Sequence, residues 1–142
     1  MLFGVMVNQW QAINKMSKSL TDLLKQTTEG LFMPSESEYP FNVVYWEFFN
    51  LNETTIQQKT GIIGNVRTVT IDDFFQGVTK QEDWYEEEER NLAKRFEGLV
   101  LVLKNNLAEA KVYEIGDKEV HAYILGTKDD EIIGISTVVI RT

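Results

Sequence analysis

A chain of 142 residues with 22 acidic against 14 basic side chains carries a formal net charge of −8. That charge disfavours direct contact with nucleic acid or an anionic membrane and suits a basic partner. With no cysteine and a single histidine, it excludes a disulfide framework, a thiolate zinc site, a cysteine nucleophile and a multi-histidine cluster.

The hydrophobic fraction of 43% is that of a globular chain long enough to bury a core as one domain. Residues 1–15 are mildly apolar and lead into no periodic pattern. They read as a peripheral extension ahead of a single domain over 16–142, with Met16 a candidate start. The apolar run from Leu2 to Val7 lacks the basic flank of a signal peptide. No stretch approaches the ~20 apolar residues of a membrane span. The expected location is cytoplasmic.

A first helix opens at Ser19, whose spacing to Asp22 resembles a capping box. Leu20, Leu23, Leu24 and Thr27 give it one apolar face, and Gly30 ends it. Ser35-Glu36-Ser37-Glu38-Tyr39-Pro40 then forms a stiff acidic segment bracketed by Pro34 and Pro40. A residue before proline is pushed out of the helical region, so Met33 and Tyr39 are expected to be extended or turned. Glu36 and Glu38, two apart, point the same way if the segment is extended. Such a finger either offers negative charge to a metal or basic site or is an ordinary polar loop.

Phe41 to Phe49 is dense in β-formers and apolar on both faces, which predicts a strand covered on both sides. A turn over Asn50 to Thr54 is followed by a short strand over Thr55 to Lys59, a loop over Gly61 to Asn65 and a strand over Val66 to Ile71. Asp72-Asp73-Phe74-Phe75 reads as a capped helical turn ending near Gly77. The longest helix is expected over Tyr85 to Leu107, with Leu92, Phe96, Leu99, Leu103 and Leu107 as its core face. Its opening glutamates and Lys104 suit the helix dipole. Leu99 to Leu103 is apolar all round, which predicts deep burial. A hairpin across Gly116-Asp117 joins Lys111 to Ile115 and Glu119 to Leu125. A last strand runs from Ile132 to Ile140 after the turn Asp129-Asp130. This order gives an α+β fold with a mixed or antiparallel sheet.

The candidate chemistry is sparse. His121 lies in a strand pattern with no cysteine or serine partner nearby, which favours a place on the sheet surface over catalysis. Carboxylate pairs such as Glu36 with Glu38, or Asp72 with Asp73, are what acid/base work needs, but any acidic domain has them. The chain is therefore read as a non-enzyme. Asp83-Trp84-Tyr85 stands among charges just before a helix. Trp84 is either a staple packed on that helix or an interface anchor, since tryptophan is enriched in hot spots.

Several segments recur together in one order: Phe32-Met33, Ser35 through Phe41, Trp46-Glu47, Asp83-Trp84-Tyr85 with the acids after it, Val112-Tyr113, and Gly134-Ile135-Ser136-Thr137 ahead of a final threonine. From roughly Ser17 to Thr142 the chain resembles the nuclease A inhibitor family, protein inhibitors of a sugar-nonspecific nuclease. The resemblance implies a three-layer α/β/α sandwich, similar to the pathogenesis-related-1-like fold. It implies a 1:1 complex with a target similar to the ββα-metal nucleases, which cut DNA and RNA with a magnesium ion and a histidine base. By the same resemblance Glu36 takes the place of the scissile phosphate, Thr142 sets its hydroxyl on the nuclease's magnesium, and Asp83 and Trp84 form a second contact patch. The chain itself needs no cofactor; the only metal is the partner's Mg2+, bridged in the complex. A carboxylate supplies a phosphate's charge without a bond to cut, and an oxygen ligand suits a hard cation.

Two positions depart from the family pattern. Pro34 interrupts the step from Met33 to Ser35, which re-aims the finger. Arg141 sets positive charge beside Thr142 in place of an acid, which weakens the approach of a metal. The rival readings are a family member that binds a different basic partner without inhibiting a nuclease, and a carboxylate-based hydrolase.

Overall fold

A computed structural model of the chain describes residues 19–47 and 50–142. The extension 1–15 and the pair Phe48-Phe49, placed by the sequence at the end of a strand, lie outside the described residues.

The first helix, α1, occupies residues 19–28. Leu20, Leu24 and Thr28, four apart, are its buried positions, and Thr28 Oγ1 donates back to the Leu24 carbonyl at 2.7 Å. Ser19 is already helical, so the cap is not where its spacing to Asp22 put it. Leu23, assigned to the core face, is exposed. Gly30 stops the helix in the left-handed region (φ 69°), where a side chain would be strained.

Two short strands follow, β1 (Phe32–Met33) and β2 (Tyr39–Pro40), paired antiparallel with Met33 opposite Tyr39. The acidic finger is therefore the loop of a small ribbon. Pro34 is the first residue beyond the ladder, where its missing N–H costs no pairing.

The main sheet has five antiparallel strands in the order β3-β7-β6-β5-β4. These are β3 (Asn42–Trp46), β4 (Val66–Val69), β5 (Ala108–Ile115), β6 (Glu119–Lys128) and β7 (Glu131–Ile140). The last three form a meander whose turns were legible. Gly116 takes φ 112°, and Asp129 and Asp130 both take the positive φ of a tight two-residue hairpin turn. Gly134 on β7 is needed for another reason: a Cβ there would collide with the Ile124 carbonyl of the neighbouring strand. The small β1–β2 ribbon lies against β7 as well.

The strand expected over Thr55 to Lys59 is instead a helix, α2 (Glu53–Thr60). Its β-branched Thr54, Thr55 and Ile56 are also compatible with an extended chain, but the ends decide. Asn52 caps the Thr55 N–H at 2.8 Å, and Gly61 closes the helix at φ 67°. Helix α3 (Ile71–Thr79), capped by Thr70, runs past the expected stop at Gly77 and takes Ile71 from the preceding strand. Helix α4 (Glu87–Asn106) buries Phe96, Leu99 and Leu103 as the periodicity predicts, and Leu107 is buried just beyond its end. Two expectations fail on it. Leu92 is 43% exposed, with Ala93 buried beside it, and Leu101 is 58% exposed. An apolar run of five goes round the helix more than once, so one member must face away from the sheet.

Alternation along the strands separates two cores. Val112, Val120, Ala122, Ile124, Ile133, Ile135 and Val139 pack with residues of α1, α3 and α4. Val44, Tyr113, Ile115, Leu125 and Ile132 pack with Ile56 of α2. The period of two puts these sets on opposite faces, so the expectation that β3 is covered on both sides holds, although β3 is an edge strand. The chain is thus mixed α/β with antiparallel sheets.

Candidate functional site

The finger is shaped by one hydroxyl. Ser35 Oγ donates to the Ser37 carbonyl within the loop and accepts the Ile140 N–H of β7 at 3.1 Å. The chain bends through 35–37, so the extended geometry that would point Glu36 and Glu38 the same way is not the one adopted. Nearer the ribbon, Thr137 Oγ1 of β7 donates to the Pro40 carbonyl at 3.0 Å. The loop is fixed to the end of the sheet at both its start and its base.

That attachment has a direct result. Thr142, just past β7, donates its hydroxyl hydrogen to Glu36 Oε1. Two residues 106 apart in sequence meet on the surface, and both are exposed. These are two of the four residues singled out above.

Arg141 faces a different partner. Its guanidinium grips Glu114 of β5 with both arms, Nη1 to Oε1 at 3.1 Å and Nη2 to Oε2 at 2.8 Å. Arg67 of β4 adds a third bond, Nε to Oε1 at 3.1 Å. The Glu114 side chain is only 3% exposed. Burial by itself raises its carboxyl, but Arg141 and then Arg67 outweigh burial and hold the carboxyl below the ordinary glutamate value. The positive charge expected beside Thr142 is thus matched to a buried anion.

Asp83 and Trp84 occupy a turn ahead of α4. Trp84 is 72% exposed, and its ring meets Tyr85 edge-on at 4.7 Å. It is therefore not a staple buried against the helix. The Asp83 carbonyl accepts from Arg90 Nη2 at 3.3 Å, which ties the turn to the first turn of α4. His121 is half-buried in β6, opposite Val138 and Ile115. Two surface clefts, one between α3 and α4 and one between α1 and β3, contain none of the four singled-out residues. Among the described residues, no three His, Asp or Glu side chains are grouped to hold a metal, and no helix is long and apolar enough to cross a membrane.

Sequence reasoning passed over Glu114 and Arg67, and gave Ser35, though part of the finger, no role of its own. Glu114 had a visible signal: it stands among Val112, Tyr113 and Ile115 in a strand apolar on both faces, where a carboxylate needs a cation. Ser35 had none, because its partner lies on a strand more than a hundred residues later.

A carboxylate of the exposed finger and the hydroxyl of Thr142 are thus held together at the surface, and the indole of Trp84 stands largely in solvent. Residues 18–142 match the model of the nuclease A inhibitor-like protein family, and the chain belongs to that family. No curated protein matches it in sequence.

Proposed function

We propose that the protein inhibits a metal-dependent, sugar-nonspecific endonuclease of the ββα-metal kind by filling its active site in a 1:1 complex. The observation that carries this reading is the Thr142–Glu36 hydrogen bond. It gathers an anion and a neutral oxygen at one exposed point, the two features that a phosphate-binding, magnesium-loaded cleft recognises. Glu36 supplies the charge of the scissile phosphate, and Thr142 brings its hydroxyl to the partner's Mg2+. Two oxygens make only a partial coordination shell, so the metal is the partner's, and no cofactor of the chain's own enters. Trp84, with Asp83, anchors a second patch. The net charge of −8 draws the protein to a basic cleft. Helices packed on both faces of the sheet support the finer fold reading, an α/β/α sandwich akin to the pathogenesis-related-1-like fold.

The test is a titration of a magnesium-dependent, sugar-nonspecific endonuclease with the protein at several salt concentrations. Stoichiometric loss of cleavage, with an association rate that falls steeply as salt rises, is the expected result. Full cleavage at excess protein sinks the inhibitor reading and leaves its rival, a family member that engages a different basic partner.

A further inference from the structure

Glu114 is a nearly buried carboxylate with three hydrogen bonds from two arginines, one of which, Arg141, is the chain neighbour of Thr142. Its neighbours explain where it points. Along β5 it shares a face with Val112, on the side covered by α1, α3 and α4. Arg67 lies opposite it on β4, on the same face as Val69. Arg141 follows Val139 by two positions and reaches the same carboxylate from beyond the end of β7. The three charges form a row across the end of the sheet, Arg67–Glu114–Arg141.

This row matters to one residue in particular. A segment just past a strand frays unless it is tied down. Here Arg141 is tied by its backbone as well, its N–H donating to the Lys118 carbonyl at 2.7 Å. The residue before it, Ile140, is tied to Ser35 of the finger. The residue after it, Thr142, sets its hydroxyl on Glu36. A forked guanidinium on a carboxylate fixes orientation as well as position, which a lysine in the same place does not.

We infer that Arg141 and Glu114 form a clamp that positions Thr142 against Glu36, so that the two-oxygen contact surface is preassembled in the unbound protein. As a statement about the free protein the clamp stands on its contacts alone; its consequence for inhibition rests on the function proposed above. Arg141, a departure from the family pattern, thereby becomes the residue that aims the neighbouring hydroxyl. Arg141 and Glu114 are positioning residues, since neither needs to touch the nuclease.

The test uses the full chain with three substitutions, Arg141→Ala, Arg141→Lys and, as a mild core truncation elsewhere, Ile56→Val. Backbone relaxation of the free protein reads the order of the Thr142 amide, and the endonuclease titration reads inhibition. In the native protein Thr142 should be nearly as ordered as β7. In Arg141→Ala its order parameter should fall below about 0.6, and inhibition should weaken by about tenfold or more, the scale of a misplaced contact. Arg141→Lys should restore only part of both, while Ile56→Val should change neither.

Three outcomes overturn the clamp. The first is a Thr142 that stays ordered in Arg141→Ala, the second a lysine that restores everything, and the third an Ile56→Val that loosens Thr142 as much as Arg141→Ala does. A Thr142 that loosens in Arg141→Ala alone upholds the clamp even if no variant, and not the native protein either, inhibits the nuclease. In that case it is the inhibitor reading that falls.

Discussion

The finger with Thr142 and the turn with Trp84 are both exposed, yet they are built in opposite ways. At and beside the finger, the polar groups that shape it have partners within the chain: Ser35 with Ile140, Thr142 with Glu36, Arg141 with Glu114. At the turn, the indole leans on one neighbour, Tyr85, and leaves most of its surface in water. Charged and hydroxyl groups must be aimed before they are useful, because a misdirected hydrogen bond is lost altogether. An apolar ring gains from any close contact that removes it from water. The difference teaches that the polar half of such a surface needs a scaffold and the aromatic half needs only exposure.

The sharpest way to break this comparison is to remove the finger's charge at constant size. Glu36→Gln should cost ~2–5 kcal/mol of binding to the nuclease, the range for disrupting a desolvated charge contact. Glu38→Gln, at a residue with no tie to Thr142, should cost clearly less in the same titration. Equal losses would move the phosphate-mimic role off Glu36.

Trp84→Ala comes next, at about 2 kcal/mol of affinity. Its melting temperature should scarcely move, since the ring is largely outside the fold. A drop in thermal stability with unchanged affinity would restore the staple reading.

Thr142→Val keeps the shape and drops the oxygen; Thr142→Ser does the reverse. The valine variant should lose about 1 kcal/mol or more, and the serine variant should keep most of the affinity. That gap should narrow when the nuclease is loaded without metal. Combining Thr142→Val with Glu36→Gln should give less than the summed loss, because the two residues share one bond, whereas Trp84→Ala should add to either.

Glu114 sharpens the scaffold half of the comparison through pH. Its carboxyl lies below the ordinary glutamate value in the folded protein. The stabilisation is therefore complete above the unfolded value and drains away as pH falls through the folded one. A plot of melting temperature against pH should descend more gently on its acid side in Glu114→Gln than in the native chain. Tyr45 works at the other extreme. Burial, together with a hydrogen bond to Glu131, pushes its hydroxyl up to about 12. Its contribution is intact at neutral pH and disappears only as strong alkali ionises it.

The smallest effect is expected from removing residues 1–15. They lie outside the span that matches the family, so the melting temperature should stay within a few degrees. A collapse would place Phe3, Val5 or Trp10 in the core.

What the sequence revealed and what it hid follow one physical line. Features set by neighbours in the chain were legible: the stop at Gly30, the turns at Gly116-Asp117 and Asp129-Asp130, and the faces carrying Phe96 and Leu103. At Thr55–Lys59 two local signals compete, and the caps at Asn52 and Gly61 outweigh the β-branched Thr55 and Ile56. Leu101 shows the limit of composition, since an apolar run does not say which member faces water. Glu36 and Thr142 were each singled out through the family resemblance. That they touch, and that Arg141 turns to Glu114, depends on a strand order no local pattern encodes.

That strand order also has a kinetic side. The meander β5-β6-β7 can form from near neighbours, but β3 and the ribbon before it have only β7 to join, across most of the chain. Closing so long a loop is paid for late in folding, after the local hairpins have already formed. The ribbon and its finger should therefore be unformed in the transition state. Substitutions at Ser35 or Thr137, which fasten the ribbon to β7, should leave the folding rate nearly untouched and speed unfolding instead. The contact surface proposed above would then be the last part of the molecule to assemble and the first to come loose.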